Sequence, residues 1–156
     1  MEVYHTSSVV VEHPDVQFSR PYLDFGAGFY VTTLYEQALK YGDRFILRGK
    51  DAVLNTYELY DDLSKWKVKQ FVNYDGTWLD FVAECRLGKN VGDYDVVVGG
   101  IANDKVFRTV DLYFAGEISK DECLKRLVFE QPNNQICIRN QQVIAESLTF
   151  KCSRIL

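Results

Sequence analysis

The chain has 156 residues, of which 47% are hydrophobic and 26% charged, and these values are typical of a single globular domain with a substantial buried core. The formal net charge is −4, and the absence of a long basic run excludes a general nucleic-acid coat protein, which needs clustered Lys and Arg. No apolar run reaches the ~18 residues of a membrane span, and no secretory signal pattern opens the chain. We therefore expect one cytoplasmic domain over residues 1–156.

None of the four cysteines has a partner at the Cys-x-x-Cys spacing; they are Cys85, Cys123, Cys137 and Cys152. A chain of this size does not need disulfides, so we predict reduced, mostly buried thiols. A zinc site is not expected, because His5 and His13 are the only histidines.

The first half of the chain predicts several strands and one helix. Residues 1–5 are expected to form a short strand, followed by a loop to Phe25 in which prolines interrupt regular ladders. A helical pattern runs from residue 33 to 41, with Gly42 as its stop signal. Strands are predicted at 45–47, 53–59 and 68–72, with the last pairing with the other two.

The second half predicts short helices between short strands. Ser119 and Glu122 have the capping-box spacing. The predicted helices are 77–85, 103–114, 119–127 and a brief one capped by Asn140. The predicted strands are 96–98, 135–138 and 149–155. This mixture indicates an α+β fold with a split sheet surrounded by short helices.

Residues 24–33 carry the most informative motif, Asp-Phe-Gly-Ala-Gly-Phe-Tyr-Val-Thr-Thr. Gly26 and Gly28 can adopt backbone angles closed to other residues and can let a ligand approach the main chain. Phe29 and Tyr30 would place flat rings beside that opening. The alternative is a tight turn that leads into a buried strand.

Tyr30 and Tyr41 are eleven residues apart. Eleven residues are close to three helical turns, so the two rings can face the same side if a helix begins near Tyr30. Two such rings on one side of a cleft would sandwich a planar heterocycle. The alternative is that both are core contacts of an amphipathic helix.

Three blocks of the chain resemble the diphtheria-toxin-like ADP-ribosyltransferases, which include the poly(ADP-ribose) polymerases. Residues 4–7, Tyr-His-Thr-Ser, resemble the opening block of that superfamily, a histidine followed by glycine and then Ser or Thr. Residues 25–30 are similar to the second block, Phe-Gly-Lys-Gly-Ile-Tyr, and Tyr41 falls at the second stacking tyrosine. Residues 134–138, with Gln142-Val143 after them, are similar to the third block, Asn-Glu-Tyr-Ile-Val-Tyr.

A bacterial family of unknown function within that superfamily is similar over more of the chain. The similar segments are residues 23–33, 78–86, 94–114 and 133–148. The resemblance therefore implies that residues 1–156 form a single ADP-ribosyltransferase-like domain.

The resemblance implies that NAD is the substrate and assigns roles to individual residues. His5 would hydrogen-bond the adenosine-side ribose, Thr6 would hold the nicotinamide amide through its backbone, and Ser7 would help through its hydroxyl. Tyr30 and Tyr41 would stack on the ring. The cofactor-binding set is His5, Thr6, Ser7, Gly26, Gly28, Tyr30 and Tyr41, and the catalytic set is His5, Tyr30 and Gln135.

Gln135 departs from the superfamily, which has glutamate at the aligned position. An amide can still hydrogen-bond a ribose hydroxyl, but it brings no negative charge, and loss of one such contact costs ~10²–10³ in rate. Asn133 stands where some relatives carry a Gln or Glu that orients the acceptor, and Thr6 replaces the usual glycine. Candidates for a substitute carboxylate are Asp80, Glu84 and Asp104, and candidates for binding pyrophosphate are Arg20 and Arg86, although solvated surface is an ordinary role for each arginine.

Three functions are compatible with these residues. The first is an NAD-dependent mono-ADP-ribosyltransferase, a toxin or defence effector that modifies a protein or nucleic acid and has an antitoxin protein as a partner. The second is an NAD-binding module without turnover, which Gln135 favours. The third is an interaction protein that binds no nucleotide.

Overall fold

The computed structural model describes residues 1–89, 91–102, 104–127 and 133–156. These residues form the expected α+β mixture of strands and short helices. The strands are β1 (Glu2–Ser7), β2 (Phe29–Val31), β3 (Val53–Leu59), β4 (Val68–Gln70), β5 (Val96–Gly99), β6 (Gln135–Ile138) and β7 (Leu148–Ile155). The α-helices are α1 (Tyr35–Ile46), α2 (Gly76–Arg86), α3 (Asp104–Phe114), α4 (Lys120–Leu127) and α5 (Gln141–Ser147).

The described strands form two sheets. The first sheet has the order β1-β3-β7 and is antiparallel throughout. The second has the order β2-β6-β5-β4, in which the pair β4–β5 is parallel. Among the described residues, a single bridge between Tyr4 and Thr32 joins the two sheets, with N···O distances of 2.8 and 2.9 Å. The split sheet predicted from the sequence is therefore present as two sheets connected at one point.

The bridge defines which side chains share a side of the two sheets. Tyr4 and Thr32 are opposite each other, so their side chains project to the same side, and alternation along the strands places Thr6 and Tyr30 there as well. We call this the outer side. Val3 and Phe29 project to the inner side, where the two sheets face each other.

Each side of the second sheet has its own hydrophobic core. On the outer side, helices α2, α3 and α4 pack over β5 and β6 around the fully buried Trp78, and Cys137 belongs to this cluster. On the inner side, Val3 and Tyr57 of the first sheet pack against Ile136 and Ile138 of the second. Burial of aromatic rings on both sides accounts for the richness of Phe and Tyr in the sequence.

Helix α1 packs on the outer side of the first sheet, against β1 and β3. The prediction that Gly42 stops this helix was wrong, because Gly42 is buried in its interior. A Cβ on Gly42 would lie 3.3 Å from the Cβ of Ala52 and 2.8 Å from Leu156, so glycine permits close packing there. The strand predicted at 45–47 was also wrong, since these residues form the last turn and C-cap of α1.

Strand β4 pairs differently from the prediction. Val68 lies opposite Val96 in a parallel pair with β5, whereas pairing with β3 was expected. Helix α2 lies between β4 and β5 in the chain, and such a crossover is what a parallel pair requires.

Side-chain caps begin several of the helices. Ser119 Oγ accepts from Glu122 N at 3.1 Å and Asn140 accepts from Gln142 N at 2.9 Å, which confirms Ser119 and Asn140 as caps. The Glu122 side chain accepts from Arg126 Nε at 3.1 Å, so only the Ser119 half of the predicted capping box is seen in the described residues. Asp75, and not Thr77, caps α2 by accepting from Trp78 N at 2.9 Å. The predicted start of α3 at residue 103 lies outside the described residues.

The cysteines match the prediction, since all four are free thiols and only Cys152 is exposed. Among the helices of the described segments, none has the length and apolar character that crossing a membrane would require.

Candidate functional site

Tyr30 and Gln135 project from neighbouring strands to the outer side. Tyr30 on β2 lies opposite Cys137 on β6, and Gln135 is two residues before Cys137. Because side chains alternate along a strand, all three share one face of the sheet. The structure therefore brings together two residues that the sequence assigned to one site from opposite ends of the chain.

The hydroxyl of Tyr30 is used within the protein. Tyr30 Oη donates to Gly26 O at 2.6 Å and accepts from Phe25 N at 3.0 Å. Burial raises the pKa of the Tyr30 phenol far above its ordinary value, so the phenol stays protonated as a hydrogen-bond donor. Tyr30 is thus a rigid wall of the site that also fixes the loop 25–28, and it is not placed to act as an acid.

Gly26 and Gly28 serve different structural purposes. Gly26 has a φ of +78°, which favours glycine, and a Cβ there would meet nothing within 4 Å. A Cβ on Gly28 would lie 2.5 Å from Cys137 Sγ and 2.7 Å from Ile138 O. The close approach predicted for a ligand is therefore occupied at Gly28 by strand β6, while the space beside Gly26 is open.

His5 is held by the backbone of Tyr30. His5 Nδ1 lies 2.7 Å from Tyr30 O, and since a carbonyl only accepts, Nδ1 carries the proton and Nε2 is left as an acceptor. Burial lowers the pKa of His5, which favours the neutral ring. The ring packs on Phe29 with centroids 4.6 Å apart, so His5 lies towards the inner side of β2 while the Tyr30 ring lies on the outer side.

The hydroxyls of Thr6 and Ser7 are both engaged within the chain. Thr6 Oγ1 donates to Ala38 O at 2.7 Å in α1. Ser7 Oγ donates to Val9 O at 2.6 Å and accepts from the buried Asn55 Nδ2 at 3.4 Å. Neither hydroxyl is directed at a ligand, so the role expected for the Ser7 hydroxyl has no geometric support.

Unlike its hydroxyl, the backbone N–H and C=O of Thr6 are not hydrogen-bonded within the described residues. Tyr4 uses its N–H and C=O to bond Thr32, so these groups point away from β3. Antiparallel ladders alternate, and the N–H and C=O of Thr6 therefore point the same way. In the described parts of the chain no group hydrogen-bonds either of them, although Thr6 is only 6% exposed. A backbone donor and acceptor thus stand side by side without partners.

Tyr41 lies on α1 and is exposed. The guanidinium of Arg44 lies 4.2 Å from the centroid of the Tyr41 ring, and Phe45 is a further ring neighbour at 5.9 Å. Within the described residues, Tyr30 and Tyr41 make no ring contact with each other. The eleven-residue spacing therefore does not place them on one helix, because Tyr30 belongs to β2 and Tyr41 to α1.

Asn133 and Asn134 connect β6 to the surrounding loops. Asn134 Oδ1 accepts from Thr32 Oγ1 at 2.8 Å and from Thr33 N at 3.1 Å. Asn133 Oδ1 accepts from Tyr74 Oη at 2.9 Å and from Ile101 N at 2.7 Å. These bonds fix the start of β6, and with it Gln135, against the end of β2.

Gln135 contacts a carboxylate that the sequence did not identify as functional. Gln135 Nε2 donates to Asp24 Oδ2 at 3.1 Å and to Gly100 O at 3.2 Å. Asp24 is buried and also accepts from Ala102 N at 3.0 Å and from Arg86 Nη2 at 2.8 Å. An acidic residue inside the apolar, aromatic segment 23–31 was the signal that could have revealed a buried functional carboxylate.

The substitute carboxylates proposed from the sequence lie elsewhere. Glu84 is exposed, and Asp80 pairs with Lys120 at 3.0 Å on the surface. The side chain of Asp104 lies outside the described residues. Arg20 is exposed, whereas the expectation of a solvated Arg86 was wrong, since its side chain is only 11% exposed.

Two open clefts lie away from these residues. A cleft of about 400 Å³ is lined by Tyr74, Asp75, Asp121, Leu124 and Lys125. A second, of about 340 Å³, is lined by Lys105, Arg108, Thr109, Leu112 and Arg126. Neither contains a residue of the motifs, so the candidate site rests on the arrangement of its own side chains and backbone.

Comparison with known proteins identifies a family without an assigned activity. A family model described as protein of unknown function (DUF3990) matches residues 1–150. No curated protein and no solved structure matches the chain significantly.

Proposed function

The chain belongs to the DUF3990 family, whose function is unknown, and we propose that it is an NAD-dependent mono-ADP-ribosyltransferase. It would transfer ADP-ribose from NAD to a protein or nucleic acid and release nicotinamide. A role as a bacterial toxin or defence effector is part of this proposal and rests on the motif resemblance alone.

The main support is the unpaired backbone of Thr6. A backbone N–H and C=O that no other part of the chain uses remain available to a ligand that can satisfy both. A primary carboxamide has one acceptor oxygen and an NH₂ donor, so it complements this pair, and nicotinamide carries such a group. Because the donor and acceptor belong to the main chain, the replacement of glycine by threonine does not remove them, and the Thr6 side chain is turned into α1.

Two further acceptors suit the hydroxyls of the two riboses of NAD, with His5 Nε2 on the adenosine side and Gln135 Oε1 on the nicotinamide side. His5 Nε2 and Gln135 Oε1 both have lone pairs that no donor in the described segments reaches. A carbonyl oxygen and a neutral imidazole nitrogen each accept readily from a hydroxyl.

The transfer breaks the bond between ribose C1′ and the nicotinamide nitrogen, and the bonding electron pair leaves with nicotinamide. A nucleophilic oxygen or nitrogen of the acceptor forms the new bond to C1′ and loses its proton to solvent. Gln135 Oε1 would accept from the ribose 2′-hydroxyl and stabilise the positive charge that develops on the ribose. Tyr30 would limit movement of the nicotinamide ring, and Tyr41 would cover it if its ring turned from Arg44.

The direct test is to incubate the protein with radiolabelled NAD and cell extract, and to measure transferred label and released nicotinamide. Thr6→Pro removes the N–H that faces away from β3, and a residue in this position of the ladder makes no ladder bond. We expect this variant to bind NAD at least about tenfold more weakly, as the loss of one good hydrogen bond predicts.

Thr6→Val is the matched control, because it keeps the N–H and loses only the hydroxyl that bonds Ala38. We expect its NAD affinity to stay near the wild-type value. Wild-type protein that neither binds NAD by calorimetry nor transfers label would reject the proposal, as would equal effects of the two variants on affinity.

A second function is favoured by the neutral side chain at position 135. An amide brings no charge to the reacting centre, and the NH₂ of Gln135 is already committed to Asp24 and Gly100. A domain that binds NAD without turnover would show heat of binding in calorimetry and no release of nicotinamide over hours. The same two measurements therefore separate an enzyme from a binding module.

A further inference from the structure

The orientation of the Gln135 amide is determined by its two partners. Asp24 Oδ2 lies 3.1 Å and Gly100 O lies 3.2 Å from Gln135 Nε2. A carboxylate and a carbonyl only accept, so the group that faces them must be the NH₂. Gln135 Oε1 therefore points the other way, and a flipped amide would place two acceptors against an oxygen.

Asp24 is itself fixed by three hydrogen bonds from two residues. Arg86 donates to Oδ1 through Nε at 3.2 Å and Nη2 at 2.8 Å, and Ala102 N donates to Oδ2 at 3.0 Å. Both partners of the ion pair have side chains only 11% exposed. Arg86 is in turn held over the ring of Phe107, with 3.6 Å from the guanidinium carbon to the ring centroid. The carboxylate is thus a rigid acceptor behind Gln135.

We propose that Asp24 is a positioning residue for Gln135, which holds the amide so that its carbonyl oxygen is presented to a ribose hydroxyl. This inference rests on the function proposed above and deepens it. Asp24 itself touches no reacting atom in this arrangement and acts through the Gln135 amide.

The pair predicts an unusual response to substitution. Gln135→Glu alone would place a second carboxylate against Asp24, and two like charges in contact repel. Asp24→Asn alone replaces two acceptor oxygens by one oxygen and one NH₂, so the group opposite the Gln135 amide is no longer fixed as an acceptor. The double exchange, Asp24→Asn with Gln135→Glu, conserves the total charge and lets an NH₂ at position 24 donate to a carboxylate at position 135, but Gly100 O then faces an oxygen, so we expect partial recovery.

The first experiment needs no activity. In ¹⁵N NMR spectra of the whole chain, the side-chain NH₂ of Gln135 should exchange with solvent at least about tenfold more slowly than that of Gln142, whose side chain is exposed. The loss of one NH₂ signal in Gln135→Leu assigns it. If the Gln135 NH₂ exchanged as fast as the Gln142 NH₂, the inference would be overturned. This test needs no variant of Asp24.

The second experiment compares kcat and KM for nicotinamide release. We expect kcat of each single variant, D24N and Q135E, to fall by about 10²-fold, the scale of one lost transition-state contact, with KM for NAD within threefold of wild type. The double variant should regain at least about tenfold in kcat over either single variant. Asp80→Asn, an exposed ion-pair partner of Lys120, is the matched control and should keep wild-type kcat.

The outcomes separate the two proposals. A double variant no faster than its slower parent, in an active and folded protein, would overturn the positioning role. An inactive wild type with a protected Gln135 amide would reject the proposed function while the hydrogen-bonded pair stands. If D24N fails to fold, the wild-type exchange rate and the kcat of Q135E still decide the inference.

Discussion

Gln37 and Asn134 exchange two hydrogen bonds across the domain. Gln37 Nε2 donates to Asn134 O at 2.7 Å, and Asn134 N donates to Gln37 Oε1 at 3.1 Å. Gln37 lies in the first turn of α1, and Asn134 immediately precedes β6. Tyr41 is one helical turn after Gln37, and Gln135 is the residue after Asn134. The Gln37–Asn134 pair therefore sets the position of Tyr41 relative to Gln135.

Gln37→Ala should therefore destabilise the fold. The substitution leaves the backbone N–H and C=O of Asn134 without their hydrogen-bond partners. A polar group left unpaired in this way costs about 1–3 kcal/mol of stability. We expect the free energy of unfolding in urea to fall by that amount. The control is Gln142→Ala on exposed surface, which should stay within about 0.5 kcal/mol of wild type, and equal effects of the two would contradict the structural role.

Gly28→Ala should destabilise the protein by overpacking. The added methyl would lie 2.5 Å from Cys137 Sγ and 2.7 Å from Ile138 O, and one of these is backbone that cannot move without disturbing β6. We expect a loss of about 1–3 kcal/mol in the free energy of unfolding. Cys137→Ala in the same chain should recover only part of it, because the carbonyl contact remains.

Gly26→Ala tests a different cost at the neighbouring glycine. There the space is open but φ is +78°, so the penalty is backbone strain of about 1–2 kcal/mol. Gly49→Ala, with φ of +69° and open space, is the matched control. We expect equal losses in the free energy of unfolding for the two variants in urea. A much larger loss for Gly26→Ala would contradict the open space beside Gly26.

Stability should depend on pH through His5. Burial lowers the folded pKa of His5, whereas an unfolded histidine takes up its proton near pH 6.5. Between these values the unfolded chain binds more protons, so the free energy of unfolding falls as pH is lowered through about 6.5 towards the folded pKa. His5→Gln should flatten this dependence between pH 7 and 5 in urea titrations.

His13→Gln is the control for the loss of a histidine, since His13 is exposed in the loop before the 3-10 turn at Val16–Phe18. It should keep the wild-type pH dependence. If His5→Gln also kept it, His5 would have to be as accessible to protons in the folded protein as in the unfolded chain.

Thiol reactivity should distinguish Cys152 from the other cysteines. Burial raises the pKa of Cys137 to about 12 and that of Cys85 to about 11, and Cys123 is fully buried. Since the thiolate is the reactive form, we expect one fast-reacting thiol per native chain with a disulfide reagent and four in urea. Cys152→Ser should abolish the fast phase, and a fast phase that survives would mean that a buried thiol is accessible.

Local sequence signals predicted those elements whose boundaries are set locally. Strands β3 and β6 occupy the predicted residues, and Ser119 and Asn140 cap the predicted helices, because alternation and capping depend on near neighbours. Gly42 shows the opposite case. Close packing against Ala52 and Leu156 explains why position 42 is glycine. A rule that treats glycine as a helix stop cannot detect such packing.

The sequence predicted strand β6 with Gln135 but no pairing of it with a strand at Tyr30. Motif order assigned Tyr30 and Gln135 to one site, and the structure places them on the neighbouring strands β2 and β6. The contact of Gln135 with Asp24 joins residues far apart in the chain, and no spacing rule links a loop acid to a strand amide. The unpaired backbone of Thr6 depends on where β2 leaves β1, which also follows only from the tertiary structure.

The order in which the chain is synthesised has a consequence for folding. Strand β6 lies between β2 and β5, and β7 completes the first sheet, so both sheets depend on strands from the carboxyl-terminal part of this sequence. Pairing over such separations is slow because a long loop must close before any contact is gained. A nascent polypeptide that has reached only α4 lacks the middle of one sheet and the edge of the other, so assembly of the two sheets awaits synthesis of β6 and β7.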